Sequence, residues 1–174
     1  MEIQLRRAVP EDAAALAAVE VKGWRAAYRG LMPDAYLNDL SEVEKAEAWR
    51  QNLLKHGPAG RKRVWVALRA VDICGFVRVG PVLDESKGEV GLSYLLYVLP
   101  EQWGRGIGAI LMQAGMQELR DLGLREAVLW VLRDNLRARR FYKRLSWTPD
   151  GQTGIEDYGG CWLEVLCYRR SVNA

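Results

Sequence analysis

The most informative stretch of the chain spans residues 100–112 and reads PEQWGRGIGAILM. It follows a run with strong β propensity and leads into a predicted helix. Glycines at Gly104, Gly106 and Gly108 let backbone N–H groups approach a ligand without obstruction by side chains. The helix start adds unpaired N–H donors and a partial positive charge, and Arg105 adds a cation within the loop. The stretch therefore predicts an anion site, most naturally for phosphate.

Two other interpretations of this loop are weaker. Residues 104–109 match the dinucleotide fingerprint G-x-G-x-x-A. That fingerprint places its first glycine directly after a strand and an acidic residue about 20 positions later. Here residues 99–103 intervene, and Asp134 lies well beyond that spacing. A Walker-type loop is excluded because no Gly-Lys-Ser/Thr follows. A glycine-rich turn without a ligand remains the other alternative.

Strand-like and helix-like runs fill the rest of the chain without a long linker, so we expect one domain over residues 1–174. Helices are expected at residues 10–28, 41–55, 106–122 and 135–145. Strands are expected at residues 3–7, 64–71, 73–79, 90–98, 127–132 and 161–169, with a turn-rich run at 147–158. The order β-α-α-β-β-β-α-β-α-β-β predicts an α/β (α+β) fold with a mixed sheet flanked by helices.

The composition argues against several classes of protein. The 174 residues are 49% hydrophobic and 27% charged, which is ordinary for a globular domain. A net charge of +3 is too weak to indicate nucleic acid as a partner. Three cysteines without a C-x-x-C pair, and the single histidine His56, indicate neither a disulfide framework nor a metal site. We find no apolar run of membrane length and no apolar core in MEIQLRRAVPED, so we expect no membrane segment, no secretion signal and a cytoplasmic setting.

The glycine loop resembles motif A of the GNAT superfamily of acetyltransferases, whose signature is Gln or Arg, two residues, Gly, one residue, then Gly or Ala. Those glycines are Gly106 and Gly108, and Trp103 stands where Gln or Arg is usual. The family uses that position mostly through its backbone. The resemblance implies that acetyl-CoA is the cosubstrate, without a metal. It also implies that its pyrophosphate binds the loop formed by Trp103, Gly104, Arg105, Gly106, Ile107, Gly108 and Ala109.

Residues 135–142, NLRARRFY, resemble the family's motif B, N-x-x-A-x-x-F-Y. At helical spacing Asn135, Ala138 and Tyr142 lie along one stripe. The resemblance implies that Asn135 binds an amide of pantetheine, that Ala138 leaves room for the ligand chain, and that Tyr142 protonates the leaving thiolate. The alternatives are a helix cap for Asn135 and a core position for Tyr142. Five basic residues on this helix are either a solvated face, a nucleic-acid surface or contacts of the 3′-phosphate: Arg137, Arg139, Arg140, Lys143 and Arg144.

The GNAT resemblance implies a mostly antiparallel seven-stranded sheet in which strands 90–98 and 127–132 splay apart around the cofactor. The backbone of Leu96 and Val98 would pair with the pantetheine. The implied activity is transfer of acetyl from acetyl-CoA to a primary amine of a small molecule or a protein, by direct attack. A CoA-binding sensor or an inactive scaffold of the same fold is the alternative. No nucleic acid or membrane partner is expected, and a homodimer is left open.

The general base and the acceptor pocket are the least determined parts of the prediction. Many relatives carry a carboxylate in the middle of the strand before the loop, where this chain has Leu92 and Ser93. Glu89 at the strand start is our candidate base, with Glu164, a chain of waters or a solvated role for Glu89 as alternatives. For the acceptor pocket we single out Trp24 and Tyr28, which are four residues apart and equally consistent with core packing.

Overall fold

The computed structural model describes residues 2–56, 60, 62–82 and 90–173. Within these residues seven strands form one sheet in the order β1-β2-β3-β4-β5-β7-β6. All neighbouring pairs are antiparallel except β4 and β5, which are parallel. The strands are β1 Ile3–Arg7, β2 Arg63–Arg69, β3 Asp72–Pro81, β4 Val90–Val98, β5 Glu126–Leu132, β6 Thr148–Tyr158 and β7 Cys161–Ser171.

Helices cover both faces of the sheet. They are α1 Ala13–Ala27, α2 Asp34–Asp39, α3 Glu42–His56, α4 Ile107–Asp121 and α5 Leu136–Arg144. The first core contains α1 and α3, packed on β2 and β3 through residues such as Leu16, Trp49 and Phe76. The second core, on the opposite face, contains α4, with α5 packed against it. No helix of the described residues is long and apolar enough to cross a membrane.

The predicted order of elements and the mixed, mostly antiparallel sheet are confirmed. Three details differ. The first helix begins with a 3-10 turn at Pro10–Asp12, and the short helix α2 was not predicted. The turn-rich run at 147–158 is the strand β6, whose pairing with β7 is irregular between Pro149 and Thr153. Gly151 lies inside that irregularity with a φ of 88°, which explains why turn residues interrupt a strand.

The splay between β4 and β5 positions the site. Within the described strands, these two pair only through Val90, Gly91 and Leu92 of β4, although β4 continues to Val98. One extra residue, Tyr94, lies between the pairs that β4 makes with β3 at Ser93 and Leu95. A bulge of this kind bends the strand and increases its twist. It therefore occurs where β4 leaves β5, and it opens one edge of β4 toward a cleft.

Candidate active site

The glycine loop has the backbone geometry of an anion site. Gly104 and Gly106 have φ values of 77° and 80°, a left-handed conformation that favours glycine. Gly106 is the N-terminal cap of α4, and its carbonyl accepts the N–H groups of Ala109 and Ile110. Among the described residues no backbone carbonyl accepts the N–H groups of Ile107 and Gly108. These donors lie at the positive end of α4, where they suit a phosphate.

A cleft of about 700 Å³ runs from this loop along the open edge of β4 to α5. Its volume lies within the range of sites for small molecules and cofactors. Most of the residues predicted for the cofactor line it: Leu96, Val98, Trp103, Gly104, Gly106, Ile107, Gly108, Ala109 and Ala138. Tyr142 lines it as well, whereas Arg105 and Asn135 do not. None of the described lining residues is acidic.

The edge of β4 presents its backbone to this cleft. The N–H of Leu99 donates to the carbonyl of Cys74 on β3, at 2.9 Å. Because backbone groups alternate sides along a strand, those of Val98 and Leu96 point away from β3 toward the cleft. This orientation agrees with the predicted pairing to pantetheine, although that pairing itself stays a prediction.

The side chain of Trp103 makes a hydrogen bond at the cleft, whereas we expected this position to act mostly through its backbone. Its backbone N–H donates to the carbonyl of Pro100, at 3.1 Å, within the turn that precedes the loop. Its indole Nε1 donates to the carbonyl of Val98, at 2.8 Å. The indole therefore occupies one of the acceptors that we expected the pantetheine to use.

Arg137 covers this indole from the other side of the cleft. Its guanidinium carbon lies 3.2 Å from the centroid of the Trp103 ring, which is within the distance of a cation–π contact. Burial lowers the pKa of Arg137, and the neighbouring Tyr28 hydroxyl opposes that shift. Arg144 also lines the cleft, whereas Arg139 donates to the carbonyl of Arg133 and to the Tyr168 hydroxyl. The basic residues of α5 thus divide into cleft and surface positions.

Asn135 is the N-terminal cap of α5. Its Oδ1 accepts the N–H of Ala138, at 3.1 Å, and the residue is buried. A side-chain oxygen at this position satisfies one of the unpaired donors of the helix. The structure therefore agrees with the helix-cap alternative for Asn135, and this cap orients the helix that carries Ala138 and Tyr142.

Gly108 allows α4 and α5 to pack closely, because a Cβ at this position would lie 3.2 Å from Cζ of Phe141.

Tyr142 is the cleft's titratable hydroxyl. Its ring packs 6.4 Å from that of Trp147 and 6.5 Å from that of Tyr168, measured between centroids. Burial raises the pKa of Tyr142 well above its ordinary value, and the hydroxyl of Tyr28 raises it further. The phenol therefore keeps its proton throughout the physiological range, so that it is available as a donor.

Trp24 and Tyr28 lie in an aromatic cluster rather than in the wall of the cleft. The Trp24 ring is 4.9 Å from Tyr28, 6.2 Å from Tyr36 and 5.8 Å from Tyr158. Tyr36 belongs to α2 and Tyr158 to the end of β6, so three separated segments meet here. Trp24 Nε1 is buried without a hydrogen-bond partner among the described residues. Sequence periodicity identified the first two aromatics, but the others are brought in by long-range contacts.

Among the described residues, no candidate base lines the cleft. Glu89 lies outside the residues that the structure describes. Glu164 is paired with Arg133, and that hydrogen bond lowers the pKa of Glu164. Leu92 and Ser93, the positions where the family resemblance led us to look for an acid, carry no carboxylate, and Ser93 is buried. No group of three or more His, Cys, Asp or Glu side chains that could hold a metal occurs in the described part of the chain.

Comparison with known families agrees with this geometry. The model of the acetyltransferase (GNAT) family matches residues 24–147, which include the glycine loop and all of α5. The chain belongs to the GNAT family. An uncharacterized N-acetyltransferase of Bacillus subtilis (strain 168), YuaI, is 31% identical over 134 residues, which are 76% of this chain and 73% of that protein. The inactive-scaffold alternative is not favoured, because family and relative are named as acetyltransferases.

Solved GNAT acetyltransferases share the fold over nearly the full length. The PaiA N-acetyltransferase of Thermoplasma acidophilum, in complex with coenzyme A, superposes with a TM-score of 0.78 at 19% identity, covering 98% of this chain and 99% of that one. YncA of Salmonella typhimurium, a putative acetyltransferase with its cofactor acetyl-CoA, gives a TM-score of 0.75 at 18% identity, covering 100% and 96%. At these identities the likeness supports the fold, and the ligands are those of the two neighbours.

Proposed function

We propose that this chain, acting as a single domain over residues 1–174, transfers an acetyl group from acetyl-CoA to a primary amine by direct attack. One observation carries the proposal: the glycine loop, the open edge of β4 and the Tyr142 hydroxyl share one cleft. The loop supplies N–H donors for a pyrophosphate, and β4 supplies a strand edge for the pantetheine amides. The cofactors of the two structural neighbours fit this assignment.

The cofactor's charged end is assigned to the loop and to two arginines. We assign the pyrophosphate to the N–H groups of Ile107 and Gly108, which no backbone carbonyl of the described residues accepts. Arg137 and Arg144 are the cations of α5 that line the cleft, and we assign phosphate contacts to them. Arg105, which lies outside the cleft wall, contributes charge rather than direct contact. Ala138 leaves space for the pantetheine beside α5, where Asn135 orients the helix by capping it.

The chemical step needs a neutral amine and a proton for the thiolate. An alkyl amine with a pKa near 10.4 is neutral in only about one molecule in 2,500 at pH 7, a cost of roughly 4.6 kcal/mol. An α-amine with a pKa near 8 costs only about 1.4 kcal/mol. Once neutral, its nitrogen forms a bond to the thioester carbon, and the carbon–sulfur bond breaks. Tyr142 gives its proton to the departing sulfur, which is already a good leaving group, and the proton that the nitrogen releases to solvent is replaced on Tyr142 from solvent.

The acceptor enters from the side of the aromatic cluster. Trp24 lies on α1 and Tyr28 caps the end of that helix. The Trp24 ring contacts both Tyr28 and Tyr97 of β4, the strand whose edge faces the cofactor. A cluster of this kind excludes water and so favours the neutral amine. A small molecule and a protein amine are both consistent with it. We expect a cytoplasmic setting, which suits three cysteines that form no disulfide in the described residues.

Thiol release from acetyl-CoA tests this function. The panel contains alkyl amines, amino acids, an amino-terminal peptide and a lysine peptide, each compared with acetyl-CoA alone. We expect release that depends on one class of amine and yields the N-acetyl product by mass spectrometry. Tight acetyl-CoA binding without amine-dependent release would favour the sensor or scaffold instead. A Gly106→Val variant, in which we expect cofactor binding to be lost, is the negative control.

A further inference from the structure

Arg78 on β3 is partly buried, yet its charge has no partner among the described residues. Its Nε is buried without a hydrogen bond, and none of the ion pairs between described residues includes it. Other partly buried arginine donors have acceptors: Arg6 donates to Asp12, at 2.6 Å, and Arg25 donates to the carbonyl of Leu37, at 3.0 Å. Because a desolvated charge without a partner is costly, Arg78 is a candidate site for an anion.

Two aromatic rings hold Arg78 in place. Its guanidinium carbon lies 5.7 Å from the ring centroid of Trp49 on α3 and 5.6 Å from that of Tyr94 on β4, both within the distance of a cation–π contact. The contact with Trp49 places Arg78 on the face of the sheet that α1 and α3 cover. Burial lowers the pKa of Arg78, but an arginine keeps its proton at neutral pH. The rings stabilise this cation without supplying an oxygen for its N–H donors, which stay available to a ligand.

A second cation lies against the same tyrosine ring. Lys62, which directly precedes β2, has its Nζ 5.1 Å from the ring centroid of Tyr94. It forms no ion pair with the described residues. Burial lowers the pKa of Lys62, and the charge of Arg78 lowers it further. Two like charges destabilise each other at short range, whereas an anion beside them would stabilise both.

The acid on this face of the sheet does not neutralise these two cations. Glu20 on α1 is buried, and its two oxygens accept Nζ of Lys45 and Nε1 of Trp49, each at 2.7 Å. Its charge is therefore matched by Lys45. The charged residues among the described lining of the cofactor cleft are Arg137 and Arg144, with no acid. The charge on both sides of the sheet opening thus favours a negatively charged acceptor and disfavours a polyamine.

Arg78 lies one strand away from the opening between β4 and β5. It pairs with Leu95 of β4, and Tyr94 is the bulged residue at which β4 leaves β5. Because β4 and β5 pair only as far as Leu92, the sheet is open at this level, and Leu96, the next residue of β4, lines the cofactor cleft. Neighbouring strands lie about 4.8 Å apart. A small amine at the opening can therefore place a second functional group beside Arg78.

We infer that the acceptor amine carries a carboxylate, as a free amino acid does, and that Arg78 binds this carboxylate. This inference rests on the proposed acetyl transfer. The guanidinium fork matches the two oxygens of a carboxylate, and Lys62 adds positive charge beside them. The carboxylate takes no part in the chemical step. The two cations also lower the pKa of an amine held near them, which increases the neutral fraction that attacks the thioester.

Pairs of acceptors that differ only in the acid group test the inference. Each pair is an amino acid and its amide, taken from α-, β- and γ-amino acids, and thiol release from acetyl-CoA gives kcat/KM. We expect one acid to exceed its amide roughly 10- to 100-fold, the range for hydrogen bonds to a charged group. The amide has the less basic amine, so basicity alone would favour the amide. Ethanolamine phosphate tests whether a phosphate replaces the carboxylate.

Three variants test the assignment to Arg78. Arg78→Met keeps an apolar stem against the rings, and we expect it to remove the preference for the acid. Arg78→Lys should keep part of it, because the charge remains while the fork is lost. With CoA bound, calorimetry should show the amino acid binding to Arg78→Met at least roughly 10-fold more weakly than to the wild type. Acetyl-CoA affinity should not change, since Arg78 does not line the cofactor cleft. Arg50→Met, at an exposed position of α3, is the matched control.

The outcomes separate this inference from the proposed function. If the wild type releases no thiol with any amine, the proposed function fails. If the wild type acetylates amides, alkyl amines or peptides as well as it acetylates amino acids, the carboxylate inference alone is wrong. A preference for ethanolamine phosphate over every amino acid would also overturn the carboxylate. A folded Arg78→Met protein that keeps the preference for the acid would overturn the assignment to Arg78.

Discussion

Replacing Trp103 with phenylalanine should strengthen acetyl-CoA binding. The indole Nε1 of Trp103 donates to the carbonyl of Val98, at 2.8 Å, on the edge of β4 that faces the cleft. In the wild type a pantetheine amide can use this acceptor only by displacing the indole, so the exchange of one hydrogen bond for another brings little net gain. Phenylalanine keeps an aromatic face for Arg137 but has no N–H to donate.

The size of the effect follows from one hydrogen bond. With the Val98 carbonyl freed, pairing with pantetheine contributes about 0.5–1.5 kcal/mol, the usual net value of such a bond. This corresponds to an acetyl-CoA Kd about 2- to 12-fold lower. Arg137, whose guanidinium lies 3.2 Å from the Trp103 ring centroid, loses part of a contact worth about 0.5–1 kcal/mol at exposed sites. Because the weaker contact affects the free and the bound protein alike, we expect it to change the binding free energy little.

Isothermal titration calorimetry with acetyl-CoA measures the change. Trp130→Phe is the matched control, because Trp130 is a partly exposed tryptophan on β5 that does not line the cleft. We expect the control to keep the wild-type Kd. A folded Trp103→Phe protein with unchanged or weaker affinity would show that the pantetheine does not compete for the Val98 carbonyl, and the reasoning would be wrong.

Three further changes test other parts of the site and the fold. Gly106→Val places a branched side chain at a φ of 80° over the loop N–H groups, and calorimetry should show acetyl-CoA binding lost in a folded protein; Gly30→Val, at a φ of 78°, is the control for strain alone. Tyr142→Phe should lower kcat by at most roughly 10²-fold. That loss should shrink as pH falls below the thiol pKa of about 8.5, because solvent then protonates the sulfur more readily, and equal pH profiles for the two proteins would remove Tyr142 from the mechanism. Glu118→Gln should cost about 3 kcal/mol in urea unfolding, since the buried Glu118 carboxylate accepts from Arg7, Arg63 and Trp65, and a loss under 1 kcal/mol would contradict this assignment.

Local rules explain what the sequence predicted well. Gly104 and Gly106 adopt left-handed backbone, and Gly106 begins α4, as alternating glycines at a strand-to-helix junction indicate. The strand Val90–Val98 has the predicted bounds, because its β-branched and aromatic residues belong to one uninterrupted run. The placement of Asn135, Ala138 and Tyr142 on one side of the helix follows from the 3.6-residue helical repeat alone.

Contacts between distant segments explain what was missed. The helix α2 has six residues, too few for an apolar period to stand out, yet it brings Tyr36 to Trp24. The hydrogen bond from Trp103 to Val98 depends on how the chain turns at Pro100. The packing of the Tyr97 ring depends on Gly23 of α1, more than 70 positions earlier in the chain. Contacts between residues so far apart in the chain cannot be predicted from a local sequence pattern.

The side chain at Trp103 follows from the same splay that creates the cleft. Beyond Leu92, the edge of β4 has no neighbouring strand, so the backbone groups of Leu96 and Val98 lack sheet partners on that side. Buried backbone groups without partners are costly, and a fold that opens its sheet for a cofactor must satisfy them in other ways. In this chain the indole of Trp103 satisfies the carbonyl of Val98 from within the protein, and Arg137 covers the ring. We therefore interpret Trp103, which replaces the usual Gln or Arg of motif A, as a side chain that satisfies the exposed edge of β4. Its indole stabilises the open sheet, and it competes with the cofactor for the carbonyl of Val98.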